Sequence, residues 1–124
     1  MGQLIAIACG GAIGALGRFG LHQWLTPLYN GRFPLAIFVA NSIGSLCLGL
    51  VYVLIVEKGL LPEAWRPFLV VGLLGAFTTF STFSLDTLRL IEQGDWPIAL
   101  GNIFANVTVG LVAAFVGMQL GRWL

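Results

Sequence analysis

The chain has 124 residues, 58% of them hydrophobic and 9% charged, with a formal net charge of +1. Six basic and five acidic side chains cannot cover a water-facing surface of this size, since a soluble domain carries roughly 25% charged residues. Lipid is therefore the expected solvent, and without a basic run or tail nucleic-acid binding through phosphate neutralisation is excluded.

A membrane-spanning helix needs about 20 mostly apolar residues, and the charge map leaves room for four such spans in a single domain over residues 1–124. They cover approximately residues 4–25, 34–56, 67–91 and 97–120. The first is interrupted only by Arg18 and has neither a basic flank nor a small-residue cleavage site, so it is read as retained and not as a removable signal. The second carries no charge. The third is uncharged from Pro67 to Leu85 and leaves the membrane through Asp86, Arg89 and Glu92. The fourth is again uncharged. Pro34, Pro67 and Pro97 stand at span starts, where a missing N–H costs nothing. Trp24, Trp65, Trp96 and Trp123 stand at span ends, where indole meets headgroups. No alternating-strand pattern is present, which argues against a lipid-facing barrel.

The 17 glycines are concentrated inside the spans. Gly10 with Gly14, Gly11 with Ala15, Ser45 with Gly49, and Gly117 with Gly121 are small residues four apart, the spacing that lets helices approach closely in lipid. Four helices bury little among themselves, so a second copy is expected. Lys and Arg are almost evenly divided between the two ends: Lys58, Arg66 and Arg122 on one, Arg32 and Arg89 on the other, with Arg18 as a third if it faces that way. A chain without a charge bias can insert either way round, and an antiparallel pair would supply the inverted symmetry that larger transporters encode by duplication.

Polar groups at membrane depth are expensive and need a reason. Here they are Arg18, Asn41, Ser42, Ser45, Asn102, Asn106, Thr108 and a cluster in the third span, where residues 78–84 hold five Ser and Thr in seven positions. No Asp or Glu lies at a span centre, and Asp86, near the third span's exit, is expected to pair with Arg89 three residues on. Neutral donors and one permanent cation suit an anion better than a proton or metal cation. Hydroxyls so densely placed compete for backbone hydrogen bonds, and the expectation is a break in the third helix, tolerated where the freed backbone lines a cavity or holds an ion; the alternative is that each hydroxyl bonds back to its own helix. Phe80 and Phe83 share one helix face. Aromatic ring edges are electropositive, although two phenylalanines in a membrane helix ordinarily contact lipid or core. Cys9 and Cys47 read as packing residues and His22 as a headgroup-facing side chain.

The string Gly75-Ala76-Phe77-Thr78-Thr79-Phe80-Ser81-Thr82-Phe83-Ser84 resembles the signature G-G-L-T-T-F-S-T-F-S of the Fluc/CrcB fluoride channel family. Arg18-Phe19 is similar to that family's Arg-aromatic pair, and Asn41 with Gly44 to its N-x-x-G. The resemblance covers essentially the whole chain. It implies an all-α membrane protein of four transmembrane helices, the third broken, assembled as an antiparallel, dual-topology homodimer in the cell (inner or plasma) membrane. It also implies passive, selective fluoride export that lowers fluoride toxicity, not enzyme activity. On the matching positions, Phe80 and Phe83 would hold fluoride by their ring edges, Asn41 would donate from its amide, and Ser81 and Thr82 would supply hydroxyls. Asn102 and Asn106 would extend the polar path, and Arg18 would attract anions in a vestibule. A structural Na+ at the dimer centre would rest on the backbone carbonyls of Gly75 and Thr78, as a hard cation prefers. Ala76-Phe77 replaces Gly-Leu, Ala36-Ile37 replaces Gly-Thr, and Asp86 replaces Glu. The alternative readings are a small proton-coupled cation or multidrug antiporter, which the missing span-centre carboxylate argues against, and an accessory subunit that transports nothing alone.

Overall fold

A computed structural model describes residues Met1–Leu124, with helices as its only regular structure. Helix α1 covers Gly2–Leu25 and ends in a 3₁₀ turn, Thr26–Leu28. Helix α2, Leu35–Tyr52, is entered from Pro34 and continues through a wider π turn at Val53–Glu57. The third span is built in pieces. A 3₁₀ turn at Glu63–Trp65 leads to a π-wound stretch, Pro67–Leu74, and a single α turn, α3 (Gly75–Phe77). Thr78 and Thr79 then adopt extended backbone before α4, Phe80–Glu92. Helix α5 covers Trp96–Trp123, with Pro97 in its first turn. Four helical segments are long and apolar enough to cross a membrane, namely Gly2–Leu28, Leu35–Glu57, Glu63–Glu92 and Trp96–Trp123.

The helices are joined in two pairs by glycine. Against α1 lies the π-wound stretch Pro67–Leu74. A Cβ on Gly10 would strike the Phe68 carbonyl, one on Gly14 the Leu73 carbonyl, and one on Gly72 would come within 3.0 Å of the Gly10 Cα. Helix α2 lies against α5 in the same manner, since a Cβ on Gly49 would strike the Ala114 carbonyl and one on Gly117 the Leu46 carbonyl. Backbone-to-backbone approach of this kind gains dispersion contacts, which must drive helix association where lipid removes the hydrophobic incentive. Gly11 and Ala15 differ from the expectation. A Cβ on Gly11 would meet nothing within 4 Å and Ala15 is exposed, so this pair points away from the chain's own interior.

Helix α4 ends in a Schellman motif. Gly94, at φ 81°, takes the left-handed conformation that lets its N–H reach the Ile91 carbonyl at 3.0 Å, while the Asp95 N–H reaches Leu90 at 2.8 Å. Arg32 grips Asp95 with two bonds of 2.7 and 2.8 Å, tying together the two connections at that end of the bundle. At the opposite end Arg122 grips Glu57 at 2.8 and 3.0 Å. All four tryptophans are exposed near the helix ends, as membrane-interface residues should be.

Candidate functional site

The site begins with the two extended residues. Thr79 cannot follow the helical hydrogen-bond ladder, and its N–H instead donates to Asn41 Oδ1 at 2.8 Å while its carbonyl accepts from Asn41 Nδ2 at 3.2 Å. One carboxamide on α2 thus satisfies both polar groups of a peptide that has left the helix. Three residues along α2, Gly44 leaves the space that Thr78 fills, since a Cβ there would collide with Thr78 Cγ2. Asn41 and Gly44 together form the socket of the interruption.

The Thr79 hydroxyl caps α4 by accepting from the Thr82 N–H at 3.3 Å and also bonds the Thr82 hydroxyl at 3.2 Å. Ser81 Oγ approaches it at 3.4 Å. Thr78 and Ser84, the other members of the cluster, bond back to the carbonyls of Leu74 at 3.0 Å and Phe80 at 2.9 Å. The hydroxyl cluster therefore divides between back-bonding within the chain's own helices and building the start of α4. On the other side of the interruption the carbonyls of Gly75 and Thr78 lose the donors a continuous helix would give them, because the Thr79 N–H turns to Asn41 and the Thr82 N–H to the Thr79 hydroxyl.

A cavity of about 310 Å³ opens at this point, lined by Asn41, Gly75, Thr78, Thr79, Phe80, Phe83 and Asn106 among others. Phe80 is 79% exposed in the single chain, and its ring centroid lies 5.6 Å from that of Phe83, the planes tilted by 51°. A second cavity, of about 470 Å³, lies toward the Arg32 end and is lined by His22, Arg32, Asp86 and Arg89, with Thr82 at its inner side. The Thr79–Thr82 hydroxyl bond links the two.

The candidate residues therefore separate. Asn41, Phe80, Phe83, Asn106, Gly75 and Thr78 share the first cavity, and Thr82 faces the second. Ser81 is exposed beside them. Asn102 is fully buried behind Asn106 and lines neither cavity. Arg18 lines neither of them either and makes no ion pair. Asp86 and Arg89 do not form the expected ion pair, and both line the larger cavity. Sequence reasoning missed Thr87, whose hydroxyl donates to the Phe83 carbonyl at 2.8 Å and accepts from Asn102 Nδ2 at 2.9 Å. Its spacing of four and seven residues from Phe83 and Phe80 places it on their helix face, which was the available signal.

Four membrane-length helices, an interruption in the third, and a cavity lined there by two asparagines and two phenylalanines are the architecture of a small multi-pass membrane protein. A family model described as CrcB-like protein, Camphor Resistance (CrcB), matches residues 5–118. The chain is 48% identical over 121 residues to the fluoride-specific ion channel FluC 2 of Symbiobacterium thermophilum, covering 97% of this chain and 98% of that protein. It is 42% identical over 120 residues to the fluoride-specific ion channel FluC of Magnetococcus marinus, with coverage of 97% and 98%. The chain belongs to the CrcB family.

Proposed function

We propose that this protein is a fluoride-selective channel that lets the anion leave the cytoplasm passively across the inner or plasma membrane, working as an antiparallel homodimer. The relatives' activity supports the substrate, and one observation carries the route: Asn41, Phe80, Phe83 and Asn106 wall one cavity at the interruption of the third span. Neutral hydrogen fluoride crosses lipid, ionises at the higher internal pH and is trapped, so a passive anion path is sufficient for relief.

Fluoride is small and strongly hydrated, and a site using charge alone would prefer the more easily dehydrated chloride. Close, directed donors offset the dehydration cost, each contributing on the order of 1.5 to 3 kcal/mol to a charged partner. The Asn41 amide donates two bonds of 3.2 Å, to Thr79 and to Asn106, longer than the 2.8 Å bond that Asn41 accepts. The bond to the Thr79 carbonyl is the one fluoride would replace, with the Thr82 and Ser81 hydroxyls and the edges of Phe80 and Phe83 continuing the path. Arg18 would raise the local anion concentration. Exposure of Phe80 and of much apolar surface in the single chain fits a second copy against this face.

The freed carbonyls beside the interruption suit a hard cation, and the chain offers no cluster of His, Cys, Asp or Glu that would hold a metal by side chains. In this reading Gly75 and Thr78 hold Na+ by their backbone oxygens in both copies, fixing the two interruptions against each other. The antiporter reading needs a carboxylate at the transport site, and none lines the smaller cavity. Purified protein in liposomes loaded with potassium fluoride tests the proposal: addition of a potassium ionophore should release fluoride to an external electrode. Release no faster than from protein-free liposomes would defeat it.

A further inference from the structure

Two buried or half-buried polar residues, Asn102 and Thr87, are not accounted for by a conducting path. Asn102 is 0% exposed and Thr87 7%. Burying an amide in a membrane helix without a partner costs several kcal/mol, yet every polar atom of Asn102 is bonded. Its Oδ1 accepts from Asn106 Nδ2 at 2.8 Å, and its Nδ2 donates to Thr87 Oγ1 at 2.9 Å.

Followed from one end, the bonds form a single directed series. The Thr79 N–H donates to Asn41, Asn41 Nδ2 to Asn106 Oδ1, Asn106 Nδ2 to Asn102 Oδ1, Asn102 Nδ2 to Thr87, and the Thr87 hydroxyl to the Phe83 carbonyl. Each group donates onward and accepts from behind, so the bonds polarise one another in the same sense. The series leaves the chain at Thr79, the residue before Phe80, crosses α2 and α5, and returns at Phe83. It closes around the one helical turn that carries both phenylalanines.

We infer that Asn102 and Thr87 are positioning residues, which fix the angle and depth of the Phe80–Phe83 turn against α5 and so hold the two ring edges at the spacing that selects fluoride. Asn102 is on this account outside the ion path. The physical reason for such a brace is local. Helix α4 starts at an interruption, so no preceding helical turn holds its first residues, and within the single chain Phe80 is exposed and Phe83 only half-buried. A hydrogen bond has directional preference that apolar packing in lipid lacks. The inference rests on the fluoride-channel reading.

The test compares Thr87→Val, which keeps the shape and removes the hydroxyl, with Thr87→Ser, which keeps the hydroxyl, and with Asn102→Ala. All are purified, checked for dimer by size exclusion, and assayed in liposomes for fluoride and for chloride release. The expected result is fluoride release reduced roughly tenfold or more in Thr87→Val and Asn102→Ala, the effect of about one hydrogen bond. The fluoride-to-chloride ratio should fall in the same variants, and Thr87→Ser should recover both. A purely structural role would lower the yield of dimer without moving the selectivity ratio of the protein that does fold. Wild-type release and selectivity in either folded hydroxyl- or amide-less variant overturns the inference, as does failure of both to fold, which would make the series a folding element. Wild-type protein that releases no fluoride retires the channel reading itself.

Discussion

The two glycine-joined helix pairs and the segment from Thr78 to Leu90 are held by opposite means. In the pairs α1 with Pro67–Leu74 and α2 with α5, backbone touches backbone, and a single added Cβ at Gly14 or Gly117 would collide with a main-chain carbonyl. Around the interruption the contacts are made by side chains: an Asn clamp, a Thr cap and a buried amide series. Close packing is intolerant of added volume, whereas hydrogen bonds are directional and replaceable. The molecule thus has a scaffold that tolerates no added bulk and, set into it, a turn whose polar groups can exchange partners. An ion that must shed water needs the second kind of surface.

The scaffold is most sensitive at Gly14. Its Cβ would meet the Leu73 carbonyl and lie 3.1 Å from the Phe77 nitrogen, so Gly14→Leu should abolish folded protein in detergent, while Gly11→Leu, with nothing within 4 Å, should leave the monomer fold intact. Equal loss in both, measured by yield and size exclusion, would mean that Gly11 faces a contact that one chain does not contain. Next in size is Asn41→Asp. The mutant keeps an acceptor for the Thr79 N–H but sets a carboxylate oxygen against the Thr79 carbonyl and a like charge in the anion path, so fluoride release should drop to the liposome background.

A smaller effect sharpens the socket. Gly44→Ala places a methyl against Thr78 Cγ2, and overpacking of this sort typically costs about 1–3 kcal/mol. Thr78→Ser removes that Cγ2 and keeps the hydroxyl that bonds Leu74. The double variant should therefore be more thermally stable than Gly44→Ala alone, a coupling that independent sites would not show. Arg18→Gln should have the least effect, slowing fluoride release without admitting chloride, because a vestibule cation attracts all anions alike. Chloride release on a par with fluoride in this variant would assign selectivity to Arg18.

Much of the scaffold was legible from residue types whose physics is local. Prolines mark helix starts, tryptophans mark interfaces, and glycines four apart mark close helix contacts; of these, Gly10 with Gly14 and Gly117 with Gly121 lie in the pair interfaces. The Gly11 and Ala15 pair has the same spacing, and only the rotation of α1 about its axis decides which stripe faces inward. The π winding of Pro67–Leu74 left no mark in the sequence. The hydroxyl density of residues 78–84 announced competition for the backbone, yet not which hydroxyl would win. That is decided by Asn41, 38 residues away, and by Asn106, 65 residues from Asn41. The Asp86 and Arg89 pairing is not formed because helical spacing allows a contact without requiring it, and both side chains line an open cavity where an ion pair gains little. Thr87 escaped notice because a lone threonine near a span exit has no distinguishing type; its role comes entirely from Asn102 on another helix.

Fluoride selection is proposed to take place at the Phe80–Phe83 turn. Fluoride and chloride release should be measured side by side from liposomes containing wild-type, Phe80→Ile or Phe83→Ile protein, each confirmed as an intact dimer. The prediction is rapid fluoride release with negligible chloride release for the wild type, and fluoride release suppressed by roughly tenfold or more in each variant, as the loss of one or two ring-edge contacts to a desolvated ion requires. Wild-type protein that passes chloride as readily as fluoride, or isoleucine variants with undiminished fluoride release, would contradict it.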